Sequence, residues 1–412
     1  MDAPGNISWG ITATALVLLM TPGVAFFYGG LVKAKSVVSM MMMSFGSIGL
    51  VAVLWILYGF SMSAVDSPTA FAGNPFADFG LSGLASGEGS NVALIGVAYG
   101  ATFAIITVAL ISGAIADRAK FGSWLIFAGV FATVGYFPIA AWVWGGGWIM
   151  ELGTTMFGAD SGIGVIDYAG GTAVHINAGA AALALALVLG KRIGFQKGIL
   201  KPHNVPLTLL GAALLWFGWF GFNAGAEWLA EDMGGVGLIG LNTLGATAAA
   251  ILGWILIEKI KDGKPTSVGA ASGAVAGLVA ITPACANLTP GWALLLGAIS
   301  GIVCALAVEL KFRLGFDDSL DVVGIHLVGG LIGTVYLGFF ATGTGLFVGG
   351  DARQLVVQVI AALGVLIYSF VVAFIIGFVI QKTIGFRIAN EDEIAGVDSV
   401  VHGEEGYALV DA

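Results

Sequence analysis

The sequence predicts an all-α integral membrane protein with eleven transmembrane helices, and three observations support this. Of its 412 residues, 58% are hydrophobic and 10% are charged, whereas about a quarter of a soluble domain is charged. The apolar residues form runs of about 20, the length that a helix needs to cross a bilayer. Runs such as residues 180–189 do not alternate between polar and apolar side chains, as the strands of a membrane barrel do.

Eleven apolar runs follow one another along the chain. Their approximate limits are 9–32, 37–62, 91–116, 122–143, 168–190, 206–225, 236–258, 267–285, 290–310, 322–347 and 355–381. We therefore expect residues 1–381 to form a membrane domain, with spans 1–5 in about 9–190, spans 6–10 in about 206–347 and span 11 in about 355–381. Residues 382–412 are expected to form a cytoplasmic C-terminal tail rich in acidic residues.

The basic residues predict the orientation. With eleven spans, Arg353 falls on one side and all other basic residues fall on the opposite side. These are Lys33, Lys35, Arg118, Lys120, Lys191, Arg192, Lys197, Lys201, Lys259, Lys261, Lys264, Lys311, Arg313, Lys382 and Arg387. Because cytoplasmic loops collect Lys and Arg, we expect the N-terminus outside and the C-terminus inside, in a cell inner (plasma) membrane.

An internal repeat is predicted from two matching positions. Asp167 precedes His175 by eight residues in span 5, and Asp318 precedes His326 by eight residues in span 10. Five spans per copy place the two copies in opposite orientations, as in the inverted 5+5 repeats of many transporters. Span 11 is then an additional helix outside the repeat.

His175 and His326 are the candidate residues for chemistry inside the membrane. Each lies roughly 12 Å deep at about 1.5 Å per residue, so the two side chains can meet near the midplane. A neutral pair offers one donor and one acceptor to a small polar solute. Two alternatives stay open: each histidine is a satisfied core residue, or the pair binds a metal, for which two nitrogens alone are a poor ligand set.

Aromatic residues gather near the outer ends of the spans, among them Phe103, Trp144 and Phe222. An interfacial aromatic belt explains several of them, but Phe103 and Phe222 lie deeper on glycine-rich faces. Rings that line an entry well attract a cation with their π faces. Asp167, just before span 5, is suited either to cap that helix or to favour a cation above it.

The sequence lacks the residues that several other functions require. No basic block with interleaved aromatic residues suggests nucleic-acid binding, and no catalytic triad or phosphate-binding loop suggests an enzyme or an ATP-driven pump. Cys285 and Cys304 are isolated in apolar surroundings, which indicates packing rather than a metal site. We expect no enzyme activity, no metal and no cofactor.

Six motifs occur in a fixed order along the chain. They are residues 21–30 (TPGVAFFYGG), 144–147 (WGGG), 167–177 (DYAGGTAVHIN), 201–204 (KPHN), 219–225 (WFGFNAG) and 317–326 (DDSLDVVGIH). With these motifs the chain resembles the Amt/Rh family of ammonium transporters, on the Amt side, over essentially its whole length. Residues 396–407 resemble the cytoplasmic C-terminus of that family.

The resemblance implies a homotrimer in the lipid bilayer with one ammonium or ammonia pore per subunit. It implies that Trp144 and Phe103 face an external ammonium site, that Phe103 and Phe222 form a gate, and that His175 and His326 line the pore. Asp167 matches an acidic residue needed for conduction. The inner loops and the tail resemble the surface that PII-type regulatory proteins cover.

Four departures from the family pattern concern the outer site and the pore. Ala226 replaces a frequent Ser of the outer site, Gly100 replaces a frequent Gln, Leu327 replaces a frequent Gly, and residues 154–163 lengthen the segment 147–167. The expected function is recruitment of ammonium, its deprotonation and conduction of ammonia, with or without the proton. Two alternatives are a sensor that binds ammonium with little conduction and a channel for the neutral gas.

Overall fold

The computed structural model describes residues 4–87, 90–195, 201–230 and 233–407, and it is built of helices joined by loops. We number the long helices in chain order. They are α1 (Pro4–Leu31), α2 (Ala34–Met62), α3 (Ser90–Ile111), α4 (Phe121–Trp144), α5 (Gly171–Leu189), α6 (Val205–Ala224), α7 (Val236–Asp262), α8 (Ser267–Ile281), α9 (Pro290–Ala307), α10 (Val323–Phe340) and α11 (Ala352–Thr383). Shorter helices span Ser82–Ser86, Leu152–Phe157, Ala226–Ala230, Leu310–Leu314 and Asn390–Ala395.

Every predicted span overlaps one of these helices. Ten helices in the described ranges are long and apolar enough to cross a membrane, and α8 is a shorter apolar helix. Span 8 was predicted to reach residue 285, but α8 ends at Ile281 because the chain turns there, with the amide of Asn287 donating to the carbonyl of Ala284. The exact number of crossings and the orientation stay predictions, and Lys197 and residues 408–412 lie outside the described residues.

Polar side chains and glycines explain where helices begin and how closely they pack. The side chain of Asn204 accepts from the amide of Leu207 at the start of α6, and Thr266 accepts from Gly269 at the start of α8, which satisfies amides that have no partner within the helix. A Cβ at Gly211 in α6 would lie 2.1 Å from the amide nitrogen of Phe27 in α1. Glycine therefore lets these two helices touch along their backbones.

The predicted repeat divides the helices into two halves, α1–α5 and α6–α10. The first helices of the halves, α1 and α6, pack against each other, and α11 packs against α5 and α10. Both α5 and α10 begin with a π-helical turn, at Gly171–Ile176 and Val323–Leu327. Each turn carries one of the two histidines, so the same local distortion occurs at matching positions of the two halves.

The residues after α11 pack on one end of the bundle. We call this end, which carries Arg118, the inner end, and we call the end that carries Trp144 the outer end. The amide of Ile388 donates to the carbonyl of Arg118, and the carboxylate of Asp398 accepts from the amides of Val38 and Ser39. The tail is thus bonded to the loop before α4 and to the first turns of α2; its status as a separate domain, residues 382–412, stays a prediction.

Candidate functional site

Two phenylalanine rings stack between α3 and α6. The rings of Phe103 in α3 and Phe222 in α6 lie 4.1 Å apart at an angle of 14°, and both side chains are buried. Tyr99, one turn before Phe103, holds α6 in place, since its hydroxyl donates to the carbonyls of Gly221 and Phe222 at 3.0 and 2.9 Å. The stacked rings thus fill the space between α3 and α6, and their role as a gate stays a prediction.

Trp144 lies beside this stack, at the end of α4. Its ring meets that of Phe103 edge to face, with the centroids 6.1 Å apart at 88°. Its indole nitrogen donates to the backbone carbonyl of Asp167 at 2.9 Å, which fixes the orientation of the ring. The two predicted members of the outer aromatic site are therefore in contact, and the ring of Tyr99 also packs against Phe103, with the centroids 4.8 Å apart.

Asp167 caps α5 with both of its carboxylate oxygens. One oxygen accepts from the amides of Gly170 and Gly171 at 2.8 and 2.5 Å, and the other accepts from the amides of Thr172 and Ala173 at 2.8 and 3.1 Å. The hydroxyl of Thr172 also donates to it. Of the two roles considered for this residue, the structure shows the cap, and ion binding by its side chain stays a prediction.

The two histidines meet, as their spacing predicts. The Nδ1 atoms of His175 and His326 lie 3.2 Å apart, so one ring donates a hydrogen bond and the other accepts it. The ring of Trp219 stacks on His175 at 5.4 Å and 16°. Both histidines are buried, and the Nε2 atom of His175 has no partner within the described ranges. Two positive charges at this distance would repel strongly in an apolar setting, so the pair holds at most one extra proton.

A narrow apolar cavity continues inward from the pair. It is lined by Val24, Phe27, Tyr28, Ile106, Leu110, Leu215, Trp219, Val275 and His326. Only ≈ 10 Å³ is open to the centre of a water-sized molecule, about the minimum for one water. The cavity thus has room for one small molecule but not for a hydrated ion, whose shell the apolar walls cannot replace.

The inner end carries a cluster of buried charged side chains, of which Arg118 and Arg192 were considered above only as basic loop residues. The guanidinium of Arg192 bonds both carboxylate oxygens of Asp317 and one oxygen of Asp117. Burial alone raises the pKa of Asp317, but the hydrogen bonds from Arg192 and the charge of Arg118 outweigh it and hold that pKa below its usual value. These pairs fasten the loops before α4, after α5 and before α10 to one another.

Asp318 caps α10, as expected for an acid before a helix. Its Oδ2 atom accepts from the amide of Val323 at 2.7 Å, while its Oδ1 atom is buried without a partner among the described residues. Lys311 lies close, but its ammonium group bonds the backbone carbonyl of Asp318 and the carboxylate of Asp321. Burial raises the pKa of Asp318 to about 6.

The structure shows where the four departures from the family pattern lie, and it explains one of them, Gly100. A Cβ at Gly100 would lie 2.8 Å from the ring of Trp55, so glycine makes room for that ring. The backbone of Leu327 packs on Gly179 of α5. The lengthened segment forms the short helix Leu152–Phe157 and a loop, and Ala226, which is partly exposed, begins the short helix after α6.

Sequence reasoning missed one pair at the outer end. The hydroxyl of Tyr168 donates to the carboxylate of Glu227, which is 7% exposed. An acid only two residues beyond the predicted end of span 6 was the available signal. Over the described part of the chain, no group of three or more His, Cys, Asp and Glu side chains lies close enough to hold a metal.

Comparison with known proteins gives matches along nearly the whole chain. The family model described as Ammonium Transporter Family matches residues 8–407. An ammonium transporter of Mycobacterium tuberculosis (strain ATCC 25618 / H37Rv) is 49% identical, over 98% of this chain and 90% of that protein. An ammonium transporter of Bacillus subtilis (strain 168) is 42% identical, over 95% of this chain and 96% of its own length.

Solved structures give the same fold. A structure titled Sensor Amt Protein has a TM-score of 0.87 at 28% identity, covering 97% of this chain and 98% of that chain. The crystal structure of Candida albicans Mep2 has a TM-score of 0.85 at 30% identity, covering 99% of this chain and 93% of that chain.

Proposed function

The chain belongs to the ammonium transporter family, a family of membrane transporters and not of enzymes, and we propose how this member conducts ammonium. Ammonium binds outside the stacked rings, against Trp144 and Phe103. It gives up its proton near the gate of Phe103 and Phe222, and ammonia passes along His175 and His326. The observation that carries this proposal is the contact of two buried imidazoles, 3.2 Å apart, directly inside a pair of stacked rings.

The proposed first step uses the aromatic rings as a substitute for water. Removing a small cation from water costs several kcal/mol or more unless new partners replace the hydration shell. The face of Phe103 and the ring of Trp144, whose centroids lie 6.1 Å apart, supply part of that replacement. Ala226, next to the end of α6, contributes no side-chain acceptor to the same region.

The proposed second step uses the histidine pair as a neutral polar track. One imidazole has a free acceptor nitrogen and the other a free donor, so ammonia can exchange hydrogen bonds along the pair without carrying a charge. The cavity beyond, with ≈ 10 Å³ open to a water-sized molecule, passes ammonia more readily than a hydrated ion. The proton either stays behind or crosses separately.

We also propose where the protein is located and how its subunits assemble. We place the protein in the plasma membrane with the N-terminus outside and the tail inside, since 15 of the 16 basic residues then face the cytoplasm, and we propose that it forms a homotrimer, as the resemblance to the family implies. The inner end, where the tail bonds to the helix loops, is the surface that a PII-type regulator would cover. Cross-linking of the purified protein and its mass in detergent test the trimer.

Electrical current across membranes that contain the purified protein tests the mechanism. Ammonium pulses should give a saturating current in the wild type, and the double variant His175→Ala/His326→Ala should lose at least about tenfold of it, because no buried imidazole remains to exchange hydrogen bonds with ammonia. The matched control is His203→Ala, a histidine at the inner end. Equal currents in the wild type and the double variant would contradict the role of the pair.

A direct binding measurement separates transport from sensing. Ammonium binding without current or ammonia flux would support a sensor that binds with little conduction. The relatives at 42–49% identity are named ammonium transporters, which favours conduction.

A further inference from the structure

Two buried glutamines of α11 bond the backbone that leads into the outer site. The Oε1 atom of Gln358 accepts from the amide of Ile166 at 2.7 Å, and its Nε2 atom donates to the carbonyl of the same residue at 2.9 Å. The Nε2 atom of Gln354 donates to the carbonyl of Gly164 at 2.8 Å. Both glutamine side chains are 0% exposed. Gln358 thus exchanges with Ile166 the two hydrogen bonds that a residue of a paired strand exchanges with its partner.

The amide group of Gln358 also reaches a second helix. Its Nε2 atom donates to the carbonyl of Thr334 in α10 at 3.0 Å, and its Oε1 atom accepts from Gln354 at 3.2 Å. With the two bonds to Ile166, all four hydrogen-bonding positions of this side chain are occupied. Gln358 therefore joins α11, α10 and the backbone of residues 164–166 at one point.

The backbone of residues 164–166 continues directly into the outer site. Asp167 follows Ile166, and its carbonyl accepts from the indole of Trp144 at 2.9 Å. Residues 162–167 lie outside any helix or strand, so the regular hydrogen bonds of secondary structure do not fix this backbone. The bonds from Gln358 act on the residue immediately before the carbonyl that orients Trp144.

The matching position at the inner end is also held by a side chain. Ile166 precedes Asp167 as Asp317 precedes Asp318, and the guanidinium of Arg192 bonds both carboxylate oxygens of Asp317. The inner contact is ionic and comes from the loop after α5, whereas the outer contact is neutral and comes from α11, the helix outside the predicted repeat. A neutral amide adds no positive charge to the end where a cation is proposed to bind.

We propose that Gln358 is a positioning residue for ammonium recruitment, which fixes the backbone at Ile166 and, through the carbonyl of Asp167, the orientation of the Trp144 ring. The role rests on the proposed function, in which ammonium binds against Trp144 and Phe103. A ring that is already held in one orientation need not be ordered when the cation binds, which favours affinity. The effect of Gln358 is therefore on the affinity for ammonium and not on the steps at the histidines.

Gln358→Met tests the role, because methionine has a similar length but only a weak acceptor. The ammonium concentration at half-maximal current should rise about tenfold, because the buried backbone at residue 166 loses its partners, and the maximal current should stay within about twofold. The matched control is Ser369→Ala, which removes a buried hydroxyl of α11 without a partner among the described residues, and it should change neither quantity. Gln354→Met should have a smaller effect than Gln358→Met, since Gly164 lies farther from Asp167.

A double-mutant cycle with Trp144→Leu separates positioning from a general structural role. If Gln358 acts through the indole, Gln358→Met should change half-saturation by less than about twofold once the indole is absent. A glutamine that only stabilises the fold would give the same rise in both backgrounds. An equal rise in both backgrounds, or no rise in Gln358→Met alone, would overturn the proposal.

Failure of this proposal is distinguishable from failure of the proposed function. Ammonium binding to the purified protein is measured by calorimetry alongside the current, so a wild type that binds without current still reports whether Gln358→Met weakens binding. Weaker binding in Trp144→Leu but not in Gln358→Met would contradict the positioning role alone. Unchanged binding in Trp144→Leu, or no binding by the wild type, would contradict the proposed outer site and the positioning role together.

Hydrogen exchange reports the contact without ammonium. Amides in peptides that cover residues 164–171 should exchange roughly tenfold faster in Gln358→Met, because this backbone opens more easily without its partners, and unchanged exchange would contradict the proposal. Melting temperatures in detergent identify variants that do not fold. If Gln358→Met does not fold, Gln358→Asn takes its place: its side chain is one methylene shorter, and the same rise in half-saturation, lost in the Trp144→Leu background, is expected. Half-saturation equal to that of the wild type in Gln358→Asn would then overturn the proposal.

Discussion

Asp167 and Asp318 precede the two helices that carry the histidines by the same spacing, yet their carboxylates have different surroundings. At the outer end, Asp167 accepts four amide hydrogen bonds and one from a hydroxyl. At the inner end, Asp318 accepts one from the amide of Val323, and one of its oxygens has no partner within the described residues. The difference shows that the repeat keeps the backbone geometry around the histidines while its two ends have become specialised.

The inner end should therefore tolerate loss of its carboxylate charge better than the outer end. The outer carboxylate satisfies every free amide of the first turn of α5, so its removal leaves several buried donors unpaired, each at a cost of about 1–3 kcal/mol. The inner carboxylate is buried with little compensation, and its removal relieves part of a desolvation penalty. The two acids occupy equivalent positions, but removing the carboxylate should cost more free energy of folding at Asp167 than at Asp318.

The largest expected effect is a loss of ammonium current when the carboxylate charge at the outer end is removed, and the same substitution at the inner end is the comparison. Asp167→Asn places an amide group against backbone amides, and we expect the ammonium current to fall at least about a hundredfold together with the melting temperature. Asp318→Asn should cost about tenfold in current or less. Both variants are measured as current per folded protein in the same membranes. Equal losses at the two ends would contradict the comparison.

A loss of current of intermediate size is expected for a substitution at the contact between α5 and α10. A Cβ at Gly179 in α5 would lie 2.4 Å from the backbone nitrogen of Leu327 in α10, so Gly179→Ala must push apart the helices that hold His175 and His326. Such overpacking typically costs about 1–3 kcal/mol, and we expect the current to fall roughly tenfold as the imidazole contact lengthens.

The control for that variant is Gly122→Ala, since no atom lies within 4 Å of a Cβ at Gly122 in α4. It should leave the current and the melting temperature nearly unchanged. A normal current in Gly179→Ala would show that the spacing of α5 and α10 does not set the contact of the histidines.

The central features of the site were predictable because they depend on spacing. Apolar runs of helical length predicted the spans, and the common distance of eight residues from Asp167 to His175 and from Asp318 to His326 predicted that the histidines meet. Spacing within a helix is a local property that the folded chain preserves.

The burial of polar side chains and their hydrogen-bond partners could not be predicted from spacing. Arg192 was counted as a loop charge, whereas it is buried and bonded to Asp117 and Asp317. The pair of Tyr168 and Glu227 joins positions 59 residues apart, and no periodic pattern relates such positions. The sequence also left two roles open for Asp167, because a carboxylate before a helix suits both a cap and a cation until the path of the backbone is known.

The smallest expected effect is a pH dependence of stability that belongs to the inner acid. Burial raises the pKa of Asp318 from 3.8 to about 6, so between these values the folded state binds more protons than the unfolded state. The free energy of unfolding therefore falls as the pH rises through this window, by at most roughly 3 kcal/mol. Asp317, whose pKa lies below its usual value, contributes in the opposite direction, because its contribution is lost as the pH falls.

The measurement is the melting temperature in detergent from pH 4 to pH 7.5, for the wild type and Asp318→Asn. The variant cannot ionise at this position, so its melting temperature should fall less across the window and should equal or exceed that of the wild type at pH 7.5. Asp317→Asn is the matched control, because it removes the neighbouring carboxylate whose ionised form is paired with Arg192, and it should be less stable than the wild type at pH 7.5. A melting temperature of Asp318→Asn well below that of the wild type at pH 7.5 would mean that the ionised inner acid is stabilised as fully as Asp167, and the contrast between the two ends would not hold.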